Sequence, residues 1–232
     1  VFDLHHDLPC GHRECSFSAI VIKVGCFFAG EVIAPFVDVL ASSPHVSEEA
    51  DMAAEMKVFS TGIDPEDWIP KRFAHPGEGR TPSIFWQHLP PNTKSLVLLM
   101  EHREAESDQR VHWLLYDISP TVEGLSEGGP LPDGILTGRN SFGTLGYRPP
   151  EAAADHQLQH YDFLLLATDK VTLGLAEGAD WEAVKARLHT PDHDADQLGP
   201  PPAADPRARE MHSLGHVLDH AEFSGHFALD NP

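Results

Sequence analysis

The chain has 232 residues, of which 41% are hydrophobic, so a packed core is within reach and global disorder is excluded. Its formal charge is −20, from 36 acids against 16 bases, and a chain this acidic repels phosphate backbones, which argues against nucleic acid as a partner. Sixteen histidines would shrink that charge on mild acidification if several titrate near neutral pH.

Residues 1–55 read as an amino-terminal extension. Val1 is not methionine, so the chain reads as a fragment or as a translation from an alternative start. All three cysteines, Cys10, Cys15 and Cys26, fall here. Free thiols are the favoured reading, since Cys10, His12 and Cys15 lack the second ligand pair of a zinc site. The run SFSAIVIKVGCFFAGEVIAPFVDVLA (16–41) is apolar but carries Lys23, Glu31 and Asp38, which a bilayer-spanning helix should not hold. It lacks the basic start and clean apolar centre of a signal peptide, and Lys23 spoils the lipoprotein-like Val24-Gly25-Cys26. No transmembrane segment is expected. The cytoplasm is the expected compartment, with secretion or the periplasm as the alternative. A polar linker, SSPHVSEEAD (42–51), follows, and residues 1–50 are expected to be dispensable for folding.

From Met56 to Pro232 the texture is that of one β-rich domain. KSLVLLME (94–101), RVHWLLYDI (110–118) and HYDFLLLATD (160–169) are apolar runs of strand length. Pro- and Gly-rich clusters punctuate them: LPPN, SEGGPLPDG and GTLGYRPP. Short strands with long loops predict an antiparallel β-sandwich. WEAVKARL (181–188) has helical spacing, with Trp181, Val184 and Leu188 on one face and Asp180 as its N-cap. Residues 189–210 form a Pro- and Asp-rich insert expected as an exposed loop. A second short helix is expected at 211–220 and a closing strand at 222–229. Within RVHWLLYDI, Val111, Trp113 and Leu115 alternate with His112, Leu114 and Tyr116, and a histidine in so apolar a strand asks for an explanation.

Five segments occur in a specific order: SIFWQHLPPNTKSLVLLME, HWLLYDISPTVEGLSEG, GILTGRNSFGTLGYRPP, QHYDFLLLATD and GHVLDHAEFSGHF. Together they resemble the phosphatidylethanolamine-binding protein family, in its bacterial Raf-kinase-inhibitor-like, YbhB/YbcL-type branch. The resemblance covers residues 56–232. It implies a mainly β fold, an antiparallel sandwich with small C-terminal helices, and an anion-sized pocket at one end of it.

The resemblance also implies which residues line that pocket. The family's acidic loop falls on Glu101-His102-Arg103-Glu104, and its His-Trp on His112-Trp113. The glycine-rich segment is Gly138-Arg139-Asn140-Ser141-Phe142-Gly143, followed by Gly146-Tyr147, and the Pro-rich turn is Pro149-Pro150. The later His-x-Tyr falls on Gln159-His160-Tyr161. The implied ligand-binding set is therefore His112, Glu104, His102, Trp113, Gly143, Tyr147, Pro150, Gln159 and Tyr161. Two positions depart from the pattern: His102 stands for an Asp and Gln159 for a His. His156 or His160 could replace Gln159 after a slip in register. Arg139 and Asn140 could instead order their own loop, and Trp113 and Phe142 read as core or pocket wall. The implied ligand is a small anionic or phosphorylated group such as a phospholipid head group, or the pocket is presented to a protein partner. If His112 and His102 titrate, anion binding should strengthen from about pH 7.5 to 6.

A second constellation competes. His212, His216 and His220 lie four residues apart, which on a helix gives one face able to hold a metal ion. His189 and His193 repeat the spacing, with Asp192 and Asp194 nearby. A metal-binding protein or metal-dependent hydrolase is thus the alternative. An enzyme is not expected otherwise, since the chain has no G-x-S-x-G, no H-E-x-x-H and no P-loop. No cofactor is expected.

Overall fold

The computed structural model describes residues 54–103, 109–152, 157–189, 211 and 213–228. Cys10, Cys15, Cys26, Glu104, His156, His193 and His212 lie outside the described residues. Among the described residues the strands are β1 (Lys57–Phe59), β2 (Asp67–Trp68), β3 (Ile84–Gln87), β4 (Ser95–Arg103) and β5 (Gln109–Ile118). β6 (Gly124–Leu125), β7 (Leu136–Thr137), β8 (Gln159–Thr168) and β9 (Val217–Phe227) complete the set, with one α-helix, α1 (Trp181–Leu188). They form a small sheet, β1-β3-β6, and a large one, β2-β9-β8-β4-β5-β7. The strand pairings are antiparallel except that β2 runs parallel to β9.

The long apolar runs become central strands because both faces of the large sheet are covered. On one face Leu96, Leu98 and Met100 of β4, Trp113 and Leu115 of β5, and Tyr161, Phe163 and Leu165 of β8 pack with Val58, Ile84, Trp86 and Leu125 of the small sheet. On the other, Val97, Leu99, Leu114, Tyr116, Leu164 and Leu166 pack under Trp181, Val184 and Leu188 of α1. A strand buried on both sides has no polar face to show, so its sequence reads as a continuous run rather than an alternation. The expected helix at 181–188 forms as spaced: Asp180 caps it by accepting from the Ala183 N–H at 2.9 Å, and its three large apolar residues are buried.

Met211 is helical, but the helix expected at 211–220 does not continue over residues 213–220. Val217 already pairs with Thr168, and β9 then runs beside β8 for its whole length, with His220 opposite Leu166. Gly215 weakens a helix there, and the free edge of β8 offers a full ladder of hydrogen bonds. The expected closing strand at 222–229 therefore begins five residues earlier than its apolar residues suggested.

Candidate functional site

The site lies where β4, β5 and β8 end together, and a break in the ladder creates it. Met100 pairs with Trp113, but the next residue, Glu101, pairs with Val111, so His112 has no partner on β4 and forms a β-bulge. A bulge inserts one residue and re-aims side chains on either side of it. The alternation expected across Val111, Trp113 and Leu115 is broken here. Val111 shares a face with Leu114 and Tyr116, whereas Trp113 and Leu115 face the small sheet.

His112 pairs instead with the segment after the glycine-rich loop. The Arg148 N–H donates to the His112 carbonyl at 2.8 Å, and His112 Nδ1 donates to the Arg148 carbonyl at 2.9 Å. A carbonyl only accepts, so Nδ1 carries the proton. One residue earlier the loop is stitched down again: Ser141 N–H donates to the Val111 carbonyl, and Val111 N–H to Ser141 Oγ, both at 2.9 Å.

The loop itself is held by Asn140. Its Nδ2 donates to Thr144 Oγ1 at 2.7 Å and to the Gly146 carbonyl at 3.1 Å. Its Oδ1 accepts from the N–H groups of Phe142 and Thr144 at 3.0 and 3.1 Å. Arg139 Nη1 closes the loop on the Gly143 carbonyl at 2.9 Å, and Gly143 has φ of 80°, a conformation that favours glycine. This order presents the Phe142 ring edge-on to His112 at 5.0 Å. From the other side Tyr161 meets His112 at 5.1 Å, and His102, directly opposite Tyr161 in the β4–β8 ladder, stacks on that tyrosine at 5.1 Å.

The rings enclose a cavity of about 180 Å³ lined by His102, Arg110, His112, Phe142, Arg148, Pro149, Glu151, Ala152, Gln159 and Tyr161. Pockets for drug-sized ligands run from roughly 300 to 1,000 Å³, so this one suits only a small group. Arg148 Nη2 pairs with Glu151 Oε1 at 2.5 Å, and its guanidinium lies 5.0 Å over the Phe142 ring. His112 is 4% exposed. Burial, and then the neighbouring His102 and Arg148 charges, push its pKa down to about 4, against the opposing pull of the Arg148 carbonyl and Glu151. It is therefore neutral throughout the range from pH 6 to 7.5, and the expected titration of His112 in that window is corrected.

Four of the residues assigned to the pocket from sequence, His102, His112, Gln159 and Tyr161, meet at this cavity. Trp113 and Tyr147 pack edge to face at 5.5 Å in the core between the sheets, and Tyr147 Oη donates to the Phe73 carbonyl at 2.8 Å. Burial raises the Tyr147 pKa far above its ordinary value, so it stays a neutral donor. Pro150 is buried and gives its carbonyl to His75 N–H, and Gly143 closes the loop behind Phe142. The acid at the cavity is Glu151. Glu101 is fully buried and accepts from Gln109 Nε2, while Glu104 lies outside the described residues. His160 meets His226 at 4.5 Å and is not a lining residue, so no slip in register brings it in for Gln159. Sequence reading missed Arg110, Arg148 and Glu151. Their signal was slight: a charged residue two positions before His112 and charged residues on either side of the Pro149-Pro150 turn.

The described members of the metal constellation, His216 and His220, do not share a helix face. His216 binds Asp169 Oδ1 through Nδ1 at 2.8 Å just before β9, and His220 lies within the strand, so no helix face joins them. Among the described residues no three His, Cys, Asp or Glu side chains converge on a metal position. Among those residues, also, no helix is long and apolar enough to cross a membrane.

The family model for phosphatidylethanolamine-binding protein matches residues 59–227, which takes in the large sheet, most of the small one and every described lining residue of the cavity. The chain belongs to the phosphatidylethanolamine-binding protein family. Its relatives include a UPF0098 protein of Aquifex aeolicus, 35% identical over 139 residues that cover 59% of this chain and 81% of that one. The UPF0098 protein YbhB of Escherichia coli is 26% identical over 148 residues, covering 58% of this chain and 91% of YbhB. Among solved structures, the phosphatidylethanolamine-binding protein homologue CT736 of Chlamydia trachomatis superposes with a TM-score of 0.58 at 25% identity, covering 76% of this chain and 99% of its own. E. coli YbcL, a member of the same family, has the same TM-score at 20% identity, over 76% of this chain and all of its own. The family's YbhB/YbcL-type branch is thus the one this chain falls in.

Proposed function

We propose that this family member is a binding module, not an enzyme, and that it holds a small phosphate-like anion in the cavity beside His112. The observation that carries this reading is the convergence of Arg110, Arg148, His102, His112 and Tyr161 on one small space. In a protein of formal charge −20, two guanidiniums beside a single cavity form a local exception to an acidic surface. Guanidinium stays charged at every relevant pH, and its planar fork matches phosphate oxygens. Arg148 Nε is buried with no acceptor among the described residues, which leaves a donor for a ligand oxygen. Glu151 at the rim would contact a cationic partner group such as an ethanolamine ammonium. The family name of this chain, and the size of the cavity, both favour a phospholipid head group or its free phosphate. Presentation of the occupied pocket to a protein partner is compatible with its position at the open end of the sheet.

Calorimetric titration of the full chain with inorganic phosphate tests the reading. Wild type is expected to bind, and His112→Ala to bind at least several-fold more weakly with its fold retained. Equal affinity in the two proteins, or no binding by wild type, would contradict it.

A further inference from the structure

We infer that the cavity takes its anion through a protonated oxygen, so that it accepts hydrogen phosphate and rejects sulfate, with Nε2 of His112 as the acceptor that makes the choice. The inference rests on reading the cavity as an anion site, and it narrows the ligand from an intact phospholipid head group, whose phosphodiester carries no P–OH, to free phosphate and protonated phosphate monoesters.

The tautomer carries the argument. Nδ1 of His112 spends its proton on the Arg148 carbonyl at 2.9 Å. In a neutral ring the other nitrogen is then a bare lone pair. It can accept a hydrogen bond but cannot donate one, and a fully deprotonated oxyanion placed against it meets two lone pairs face to face. The main-chain bond from Arg148 N–H to the His112 carbonyl fixes the backbone, so the ring cannot flip without losing the Nδ1 bond.

The ring is kept neutral by its surroundings. It is 4% exposed, and the charged or titratable groups that face it are His102 from β4, Arg110 from its own strand, Tyr161 from β8, and Arg148 and Glu151 from the segment after the loop. Burial, then any charge on His102 and the Arg148 charge, disfavour a proton on His112. The Arg148 carbonyl and Glu151 favour one, and Glu151 is already paired with the Arg148 side chain. Phe142 and Gln159 complete the wall and do not titrate. The downward shift of the His112 pKa to about 4 agrees with this arrangement.

Inorganic phosphate keeps at least one P–OH throughout the neutral range. Sulfate, nearly the same size, keeps none. A phosphate monoester lies between them, because its second ionisation falls near pH ~6 and removes its last P–OH.

The test is a set of calorimetric titrations of the full chain with inorganic phosphate, sulfate and methyl phosphate. Phosphate should bind at least tenfold more tightly than sulfate at neutral pH and change by no more than a few-fold between pH 6 and 8. Methyl phosphate should weaken about 50-fold over the same interval, as its protonated fraction falls from one half to about one hundredth. His112→Gln, whose amide can turn an N–H to the ligand, should bring sulfate to within about twofold of phosphate. Sulfate within twofold of phosphate on the wild type, or methyl phosphate binding that ignores pH, would overturn the inference and leave the anion site standing. If the wild type binds none of the three, the anion site falls, and the selectivity with it. Should the variant fail to fold, the wild-type ratio and the methyl phosphate profile still decide the matter.

Discussion

His112 and Arg148 are joined by two hydrogen bonds, one from the Arg148 N–H to the His112 carbonyl and one from the His112 ring to the Arg148 carbonyl. Both use the main chain of Arg148. The bulge frees His112 from β4, and the segment after the glycine-rich loop takes it up in place of that strand. The orientation of the imidazole is thereby independent of the arginine side chain, which is left to the cavity.

That separation is testable with Arg148→Met. The guanidinium loses its place over Phe142 and its exposed pairing with Glu151, contacts worth roughly 1 kcal/mol or less each. Stability should change by no more than about 1–2 kcal/mol in urea unfolding. Phosphate affinity should fall by tenfold or more, since a charge-assisted bond is worth about 1.5–3 kcal/mol. A variant that binds phosphate as the wild type does would remove Arg148 from the site.

Acid should weaken the fold through His112. Its folded pKa, near 4, lies below the ordinary value of 6.5, so on acidification the unfolded chain takes up the proton first. The contribution to stability is complete above about pH 6.5 and is lost as pH falls toward 4. At 1.36 kcal/mol per unit, about 2 kcal/mol is gone by pH 5. Urea unfolding of wild type and His112→Asn at pH 7.5 and 5 measures it. The wild type should lose about 2 kcal/mol more than the variant over that interval, and equal losses would show that the ring is not held neutral.

Asn140→Ala should loosen the loop that seats Phe142. Among the side-chain hydrogen bonds it removes are four, to Thr144 Oγ1, the Gly146 carbonyl and the N–H groups of Phe142 and Thr144. At about 0.5–1.5 kcal/mol each, the expected loss is roughly 2–6 kcal/mol in chemical denaturation. Phosphate binding should weaken as well, because Ser141 and Phe142 flank the bulge. Unchanged stability would mean that Ser141 and Arg139 hold the loop without Asn140.

The parts of this fold that show in the sequence are those fixed by local pattern. The runs at 94–101, 110–118 and 160–169 become β4, β5 and β8 because sustained burial leaves no other use for such residues. The helix at 181–188 is announced by its spacing and by Asp180. The bulge at His112 is not announced, because a register shift depends on the partner strand and the local alternation looks intact. Arg110, Arg148 and Glu151 were missed for a related reason. Nothing in a linear pattern says that Arg110, two residues before His112, and those around Pro149-Pro150 share one wall. The strand from Val217 was read as helix because histidines four apart suit a helix face, whereas the unpaired edge of β8 decides the outcome.

The central claim is that an anion sits against His112 at the end of β4, β5 and β8. Backbone amide chemical-shift mapping during a titration of the full chain with inorganic phosphate tests it most directly. The account predicts that saturable shifts concentrate at residues 110–113, 141–149 and 159–161, while α1 and the middle of β9 stay still. Shifts confined to other surfaces, or none at phosphate concentrations that saturate the calorimetric signal, would contradict it.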